Sequence, residues 1–335
     1  MVRVITVADI QKIIQKISIE KFYQEFIVVL EKEFSRWNDF KKSSRHAAHL
    51  DQGVIELMPI YDDEFYTFKF VNGHPNNANL KKQTVVAVGL LAEVKTGYPL
   101  MISEMTLLTA LRTAATSALA AKYLARKNST AFGIIGTGAQ SEFQTLAFKS
   151  LFDIQIVKYF DIDKNAMEKF SHNLKKYNVK LIPCANGKNV VENVDIITTA
   201  TANKKQTNIL DASLIKSGLH INGIGGDCPG KTELDKNILS CAKIVVEYLP
   251  QTKAEGEIQQ SDAKIYAELW ELICGIKKGR ESDSEITLFD SVGFALEDFA
   301  ILKFIYQLCL KNNIGSEMDL IPDLKDPKNL FSLMR

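Results

Sequence analysis

An α/β fold is what this sequence predicts: a doubly wound parallel sheet preceded by a smaller α+β region. Three observations carry that expectation. From residue 130 onward, short apolar runs alternate with helical patterns, the rhythm of parallel strands joined by crossovers. The first of these runs, AFGIIG, opens into Gly136-Thr-Gly-Ala-Gln-Ser141, a glycine turn at G-x-G-x-x-S spacing followed by the helical stretch SEFQTLAFKSLF. Ahead of it, strand-like runs cluster between 54 and 105, with Lys95-Thr96-Gly97 as a hairpin signal and Pro99 just beyond.

In order along the chain, MVRVITVADIQKII reads as a strand followed by a helix. IEKFYQEFIVVLEKEFSRW is a second helix, with apolar residues at i, i+3, i+4 and i+7. VIELMPI, FYTFKFVNG, TVVAVGLLAEV and YPLMISEM follow as strands. TLLTALRTAATSALAAKYLAR, rich in Ala and Leu, predicts a long, tightly packed helix over 106–126. Lys127-Asn128-Ser129 marks the boundary. Beyond it the strands are AFGIIG, IVKYFD, VKLIPCA, VDIITTAT, HINGIGG, KIVVEY and ITLFDSVG, with helical segments NAMEKFSHNLKKY, NGKNVVEN and DASLI between them. Two further helices, IYAELWELICGIKKG and ALEDFAILKFIYQLCLKN, lead to a polar tail, LIPDLKDPKN. The expected division is 1–126, with the tail 313–335 packing back on it, and 127–312 as a Rossmann-type unit.

Composition bounds the function. The chain has 335 residues and a net charge of +1, and its basic residues form no stripe or tail. A nucleic-acid or membrane-surface partner is therefore not expected. Apolar windows such as VVAVGLLAEV are too short to cross a bilayer, and the N-terminus has no basic-then-apolar signal pattern. Cys184, Cys228, Cys241, Cys274 and Cys309 lack C-x-x-C spacing, which fits a reducing cytoplasm. His46, His49, His74, His172 and His220 have no ligand spacing, so no metal site is expected.

The glycine turn carries the first chemistry. Gly136 permits the sharp turn and Gly138 lets backbone approach a pyrophosphate, with the following helix N-terminus facing the anion. IVKYFD ends at Asp161, about 25 residues after Gly136, where a carboxylate accepts both ribose hydroxyls and repels a 2′-phosphate. NAD is favoured over NADP.

Four other places hold polar residues where plain structure would not want them. Glu56 lies within VIELMP, near Arg45, and sits either at a wet sheet edge or in a site. Lys69 alternates with Phe68 and Phe70, which also suits a strand with a solvated outer face. Arg112 is the lone charge between Glu104 and Lys122 on a helix that packs all round, so it must be paired or face a ligand. Together Arg45, Lys69 and Arg112 make a candidate carboxylate clamp. Fourth, Gly223-Ile-Gly-Gly-Asp-Cys-Pro-Gly-Lys231 follows the strand HINGI at its C-terminal end, where open α/β sheets bind ligands. An Asx turn would explain Asp227 beside Pro229 and Gly230, but gives no reason for three glycines there; Asp227 reads as an acid/base group. Cys228 has no identifiable activating group and reads as a small packing residue. Glu255 and Glu257 resemble a carboxylate pair, yet in a polar loop are expected to be solvated.

VIELMP, FKFVNGHPNN, SEMTLLTALRTAATSALAAKYLAR, GTGAQSEFQ, GGDCPGKTEL, VEYLPQTKAEGEIQQ and SDSEITLFDSVGFALEDF together resemble the ornithine cyclodeaminase/mu-crystallin family, and its cyclodeaminase branch in particular, from about residue 35 to the tail. The resemblance implies conversion of L-ornithine to L-proline and ammonia with catalytic NAD⁺ in a homodimer whose first domains join their sheets. It implies that Asp227 is the general acid/base and Glu56 lies near the substrate amine. Arg45, Lys69 and Arg112 would hold the carboxylate, with Gln52, Gly53, Cys228, Val292 and Gly293 around the substrate. Thr84, Arg112, Gly136, Gly138, Ala139, Gln140, Asp161, Thr201, Asn222, Gly223, Ile224, Gly225, Lys231 and Ser291 would bind the dinucleotide. An amino-acid dehydrogenase, a lysine cyclodeaminase or a cyclic-imine reductase is the alternative that the same site would serve.

Overall fold

The computed structural model describes residues 1–202 and 206–334. The first sheet is mixed. Strand β1 (Val2–Ile5) leads through a Thr6/Asp9 capping box into α1 (Val7–Ile17), and Ser18, at φ 65°, breaks the chain into α2 (Ile19–Ser35). Then come β2 (Lys41–Lys42), β3 (His46–Leu50), β4 (Gly53–Tyr61), β5 (Phe65–Gly73), β6 (Ala87–Glu93) and β7 (Pro99–Glu104). The order is β1-β7-β6-β5-β4-β2, antiparallel except for the parallel β1–β7 pair, with β3 also on β4. The strand β3 has no place among the expected elements: HAAHL is short, and all five of its residues are exposed on the sheet edge.

Helix α3 (Thr106–Leu124) crosses to the second sheet, and its alanines allow contact on every side, against α2, α4 and α10. The second sheet is built from β8 (Ala131–Ile135), α4 (Ser141–Leu151), β9 (Ile156–Phe160), α5 (Lys164–Leu174), β10 (Lys180–Pro183), α6 (Gly187–Val191) and β11 (Ile196–Thr199). Next are β12 (Gln206–Leu210), β13 (His220–Gly223), β14 (Thr232–Leu234), α7 (Lys236–Cys241), β15 (Lys243–Val246), α8 (Leu249–Glu255), β16 (Ala267–Glu268), α9 (Leu269–Ile273) and β17 (Thr287–Asp290). Its order, β10-β9-β8-β11-β13-β17-β15-β16, is parallel throughout, and β12 pairs β14 separately. The doubly wound expectation holds, with strand order reversing beside β8.

Three local expectations change. DASLI forms only a 3-10 turn, Ala212–Leu214, because Asp211 caps Ser213 at 2.8 Å and the chain then extends at Ile215. IYAELWELICGIKKG is not one helix: Ala267 and Glu268 join β15 as an edge strand, the Glu268 carboxylate accepts from Leu249 N and Trp270 Nε1, and Gly275 at φ 70° stops the short α9. Helix α10 (Ala295–Asn312), grouped by sequence with the second region, packs instead on α2, α3 and the first sheet's β4, β5 and β6. Its apolar residues are buried nearly all round, and only a second layer over the first sheet provides that burial. Of the tail, β18 (Ser316–Met318) pairs antiparallel with β1, while residues 319–334 are mostly exposed. Arg335 lies outside the described residues.

Candidate active site

The site lies between the inner face of the first sheet, the first turn of α10 and the C-terminal ends of the second sheet. Residue alternation on β5 turns Thr67, Lys69 and Val71 inward and leaves Tyr66 and Phe70 on the exposed face. A solvated Lys69 is thus excluded. It is 1% exposed, with Nζ 2.9 Å from Asp298. Burial, then the neighbouring Arg112, pulls its pKa down to about 8.

Arg112 is buried and ion-paired twice, Nη1 to Glu297 at 2.6 Å and Nε to Asp298 at 3.1 Å. Burial works against its charge, but Asp298 and Glu297 outweigh burial and raise its pKa. Arg45 is held more fully. Its Nη1 donates to Glu56 at 3.1 Å, its Nη2 to the carbonyls of Val292 and Gly293 at 2.6 and 2.7 Å, and its Nε lies 3.3 Å from Glu255. Gln251 braces this arrangement, accepting from Arg45 N and donating to Gly293 O. Gly293, at φ 77°, is obligatory: a Cβ there would lie 2.6 Å from Arg112 Nη1. The candidate clamp residues therefore come together with Glu56, Val292 and Gly293, and each cation is matched by a protein carboxylate.

Asp227 stands on the loop after β13, its side chain 53% exposed and 3.0 Å from Lys231 Nζ. Its charge acts on both Arg45 and Glu255, so it faces the same cluster. Lys231 is buried, which by itself would lower its pKa; Asp227 and Glu233 reverse the effect. Gln259 clips the loop in place, accepting from Gly230 N at 2.7 Å and donating to the carbonyls of Cys228, Lys231 and Glu255.

The dinucleotide candidates occupy the strand ends. Gly136 adopts φ 98°, and a Cβ on it would meet Ala200 O at 2.4 Å, so only glycine fits. A Cβ on Gly138 would meet nothing within 4 Å, which leaves its backbone open to a ligand. Ala139 and Gln140 lead into α4, and Ser141 Oγ donates to Gly138 O at 2.8 Å. Asp161, at the end of β9, accepts from Thr137 N at 2.6 Å, which ties the acidic residue to the glycine turn. Asn222 is wholly buried with neither side-chain polar atom bonded, and Gly223, Ile224 and Gly225 continue from it. Thr201 N donates to Glu233 at 2.8 Å, and the carboxylate lies so close under Gly225 that a side chain there would displace it. Ser291 Oγ and the amides of Val292 and Gly293 all donate to Glu247, whose pKa burial and Glu297 push up to about 8. Open glycine backbone, a helix N-terminus, a tethered acid and an orphaned amide suit a dinucleotide.

Of the remaining candidates, Gln52 is exposed at the β3–β4 turn, Gly53 packs against Gly73 O and His74, and Thr84 O accepts from His74 N at 2.8 Å, so that His74 links Gly53 and Thr84. Among the described residues, no group of three His, Cys, Asp or Glu is placed to hold a metal.

Sequence reasoning missed Glu233, Glu247, Glu297, Asp298 and Gln251, and misplaced two residues. Glu255 and Glu257, expected to be solvated, are both buried. Glu257 accepts from the backbone of Glu233 and Leu234 at 2.8 and 3.0 Å, because the strand β14 turns two amides toward it. Glu255 ends α8 against Arg45. A signal existed for Glu297 and Asp298: adjacent acids in the first turn of a mostly apolar helix face the same constraint as Arg112.

Comparison with known proteins agrees with this geometry. The family model for the ornithine cyclodeaminase/mu-crystallin family matches residues 8–313. The ornithine cyclodeaminase of Agrobacterium fabrum is 48% identical over 331 residues, covering 98% of this chain and 94% of that one. Among solved structures, a lysine cyclodeaminase studied for its recognition of L-lysine, L-ornithine and L-2,4-diaminobutyric acid superposes with a TM-score of 0.92 at 26% identity, covering 99% of both chains. An archaeal alanine dehydrogenase dimer with bound NAD does so with 0.87 at 34% identity, covering 96% and 99%. With the match running through both sheets and the whole site, the chain belongs to the ornithine cyclodeaminase/mu-crystallin family.

Proposed function

We propose that this protein converts L-ornithine to L-proline and ammonia, using NAD⁺ without net consumption. The observation that carries the reading is the juxtaposition of three buried cations with buried carboxylates beside a dinucleotide-type turn. An amino acid needs cationic groups for its carboxylate and anionic groups for its amines, and a diamino acid needs more of the second. The strong likeness to curated ornithine cyclodeaminases supports the same substrate.

Arg45, Lys69 and Arg112 hold the α-carboxylate, with guanidinium forks fixing its orientation. Gly136, Gly138, Ala139, Gln140, Asp161, Thr201, Asn222, Gly223, Ile224, Gly225, Lys231 and Ser291 would hold NAD, which when bound would supply a hydride acceptor and donor at the α-carbon. Asp227 takes a proton from the α-ammonium, freeing the lone pair that imine formation requires, and returns it to the departing ammonia. Glu56 receives the distal amine. The buried walls keep water from the imine, whose hydrolysis would release a keto acid.

The exposed face of the first sheet supports a homodimer. Leu57, Tyr61, Phe70 and Val88 stand outward at 39–49% exposure beside the edge strand β3. No described helix is long and apolar enough to cross a membrane, and the cysteine pattern supports a reducing cytoplasm.

Incubation with L-ornithine and trace NAD⁺ should yield proline and ammonia in equal amounts with no accumulating NADH. NADH formed in step with substrate consumed overturns the reading in favour of a dehydrogenase.

A further inference from the structure

One guanidinium at the site serves two carboxylates. Arg45 pairs with Glu56 through Nη1 and with Glu255 through Nε, while its Nη2 is taken by two backbone carbonyls. Around it, Arg45, Lys69 and Arg112 face Glu56, Glu255, Glu297 and Asp298, one carboxylate more than cations. Glu255 shares its cation: its buried Oε2 lies 3.3 Å from Arg45 Nε without making a hydrogen bond to it, while Arg45 Nη1 donates to Glu56 at 3.1 Å. An unneutralised buried carboxylate is costly unless a cation reaches it.

Position adds to this. Gln259 ties the Glu255 carbonyl to the backbone of the Asp227 loop, and the Glu255 carboxylate, set against Arg45, feels the Glu56 and Asp227 charges as well. Those are the groups assigned above to the carboxylate, the distal amine and the acid/base step.

The geometry points to Glu255 as a specificity residue that receives the distal ammonium of a diamino acid jointly with Glu56, and this deepens the cyclodeaminase reading on which it rests. A monoamino acid of the same length brings no cation to neutralise Glu255. The site thereby prefers diamino acids through charge rather than through pocket length. Burial, and after it the Glu56 and Asp227 charges, raises the Glu255 pKa to about 7 against the pull of Arg45, as befits a carboxylate awaiting a cation.

The test uses the NAD-loaded enzyme with L-ornithine as substrate and L-norvaline, its analogue lacking the δ-amine, as competitor. Wild type should bind L-norvaline at least roughly tenfold more weakly than L-ornithine, the loss of a charge-assisted contact. Glu255→Gln should raise KM for L-ornithine roughly 10–100-fold while the L-norvaline inhibition constant stays within about twofold. Glu255→Asp, which keeps the charge, should recover part of the lost discrimination. Equal weakening of both ligands would show that Glu255 only holds Arg45, and no change in either would show no role; both overturn the proposal, as does a wild type that binds L-norvaline as tightly as L-ornithine. If wild type makes no proline, the parent reading fails, and direct binding of the two ligands still decides this one.

Discussion

Asp227 is half exposed, with its carboxylate 3.0 Å from Lys231 Nζ. Asp227→Asn should lower kcat/KM for L-ornithine by ~10²–10⁴-fold while NAD stays bound, read by steady-state kinetics and cofactor fluorescence. Near-normal activity would remove Asp227 from the acid/base role. Asp161 is assigned above to the cofactor: with its tie to Thr137 lost, Asp161→Ala should weaken NAD binding, and unchanged affinity by titration calorimetry would contradict that. Glu255 gives the site a pH response. Its pKa of about 7 is set by burial and by Arg45, Glu56 and Asp227, and only the ionised form attracts an ammonium. L-Ornithine affinity should therefore rise as pH rises through about 7.

At the scale of elements, the turn from β17 into α10 joins the two sheets and shapes the site. Glu247, just past the end of β15, receives the Val292 and Gly293 amides, and the carbonyls of the same residues hold Arg45. Gly293 fits because φ 77° and the nearby Arg112 guanidinium leave no space for a side chain. Gly293→Ala should destabilise the fold by ~1–3 kcal/mol and displace Arg112, lowering both the melting temperature and substrate affinity. A variant with wild-type melting temperature and KM would disprove this account. Sequence reading located the elements around this turn well, since strand ITLFDSVG and helix 295–312 have clear periodicity. It did not show that α10 turns back over the first sheet. Periodicity reports that a helix is buried, not which layer buries it.

For the whole molecule, buried carboxyls and one exposed apolar face determine behaviour. Burial, then the Asp290 charge, pushes the Glu257 pKa from 4.5 up to about 8, and burial pushes Asp290 from 3.8 up to about 7. A raised carboxyl pKa means that the folded state binds its proton more tightly than the unfolded chain does. That contribution is complete below the unfolded values and is lost as pH rises toward about 8. Melting temperature should thus fall between about pH 5 and about pH 8; a flat or rising profile would refute it. The outward face of the first sheet should hold a dimer, so Phe70→Glu should give a monomer by light scattering, and an unchanged dimer would place the interface elsewhere.

The sequence by itself determined the two sheets and the glycine turn with Asp161, and it singled out Glu56, Lys69, Arg112 and Asp227 as charges that plain structure does not explain, because backbone periodicity and the company a charge keeps along an element are local. Only the tertiary structure decided which carboxylates answer those cations. Glu297, Asp298, Glu247 and Glu255 come from segments up to 229 residues away in the chain, and Glu255 and Glu257 look like ordinary solvated residues until β14, the Asp227 loop and Arg45 close over them. Burial of a polar loop depends on what folds against it, and no spacing within the loop records that.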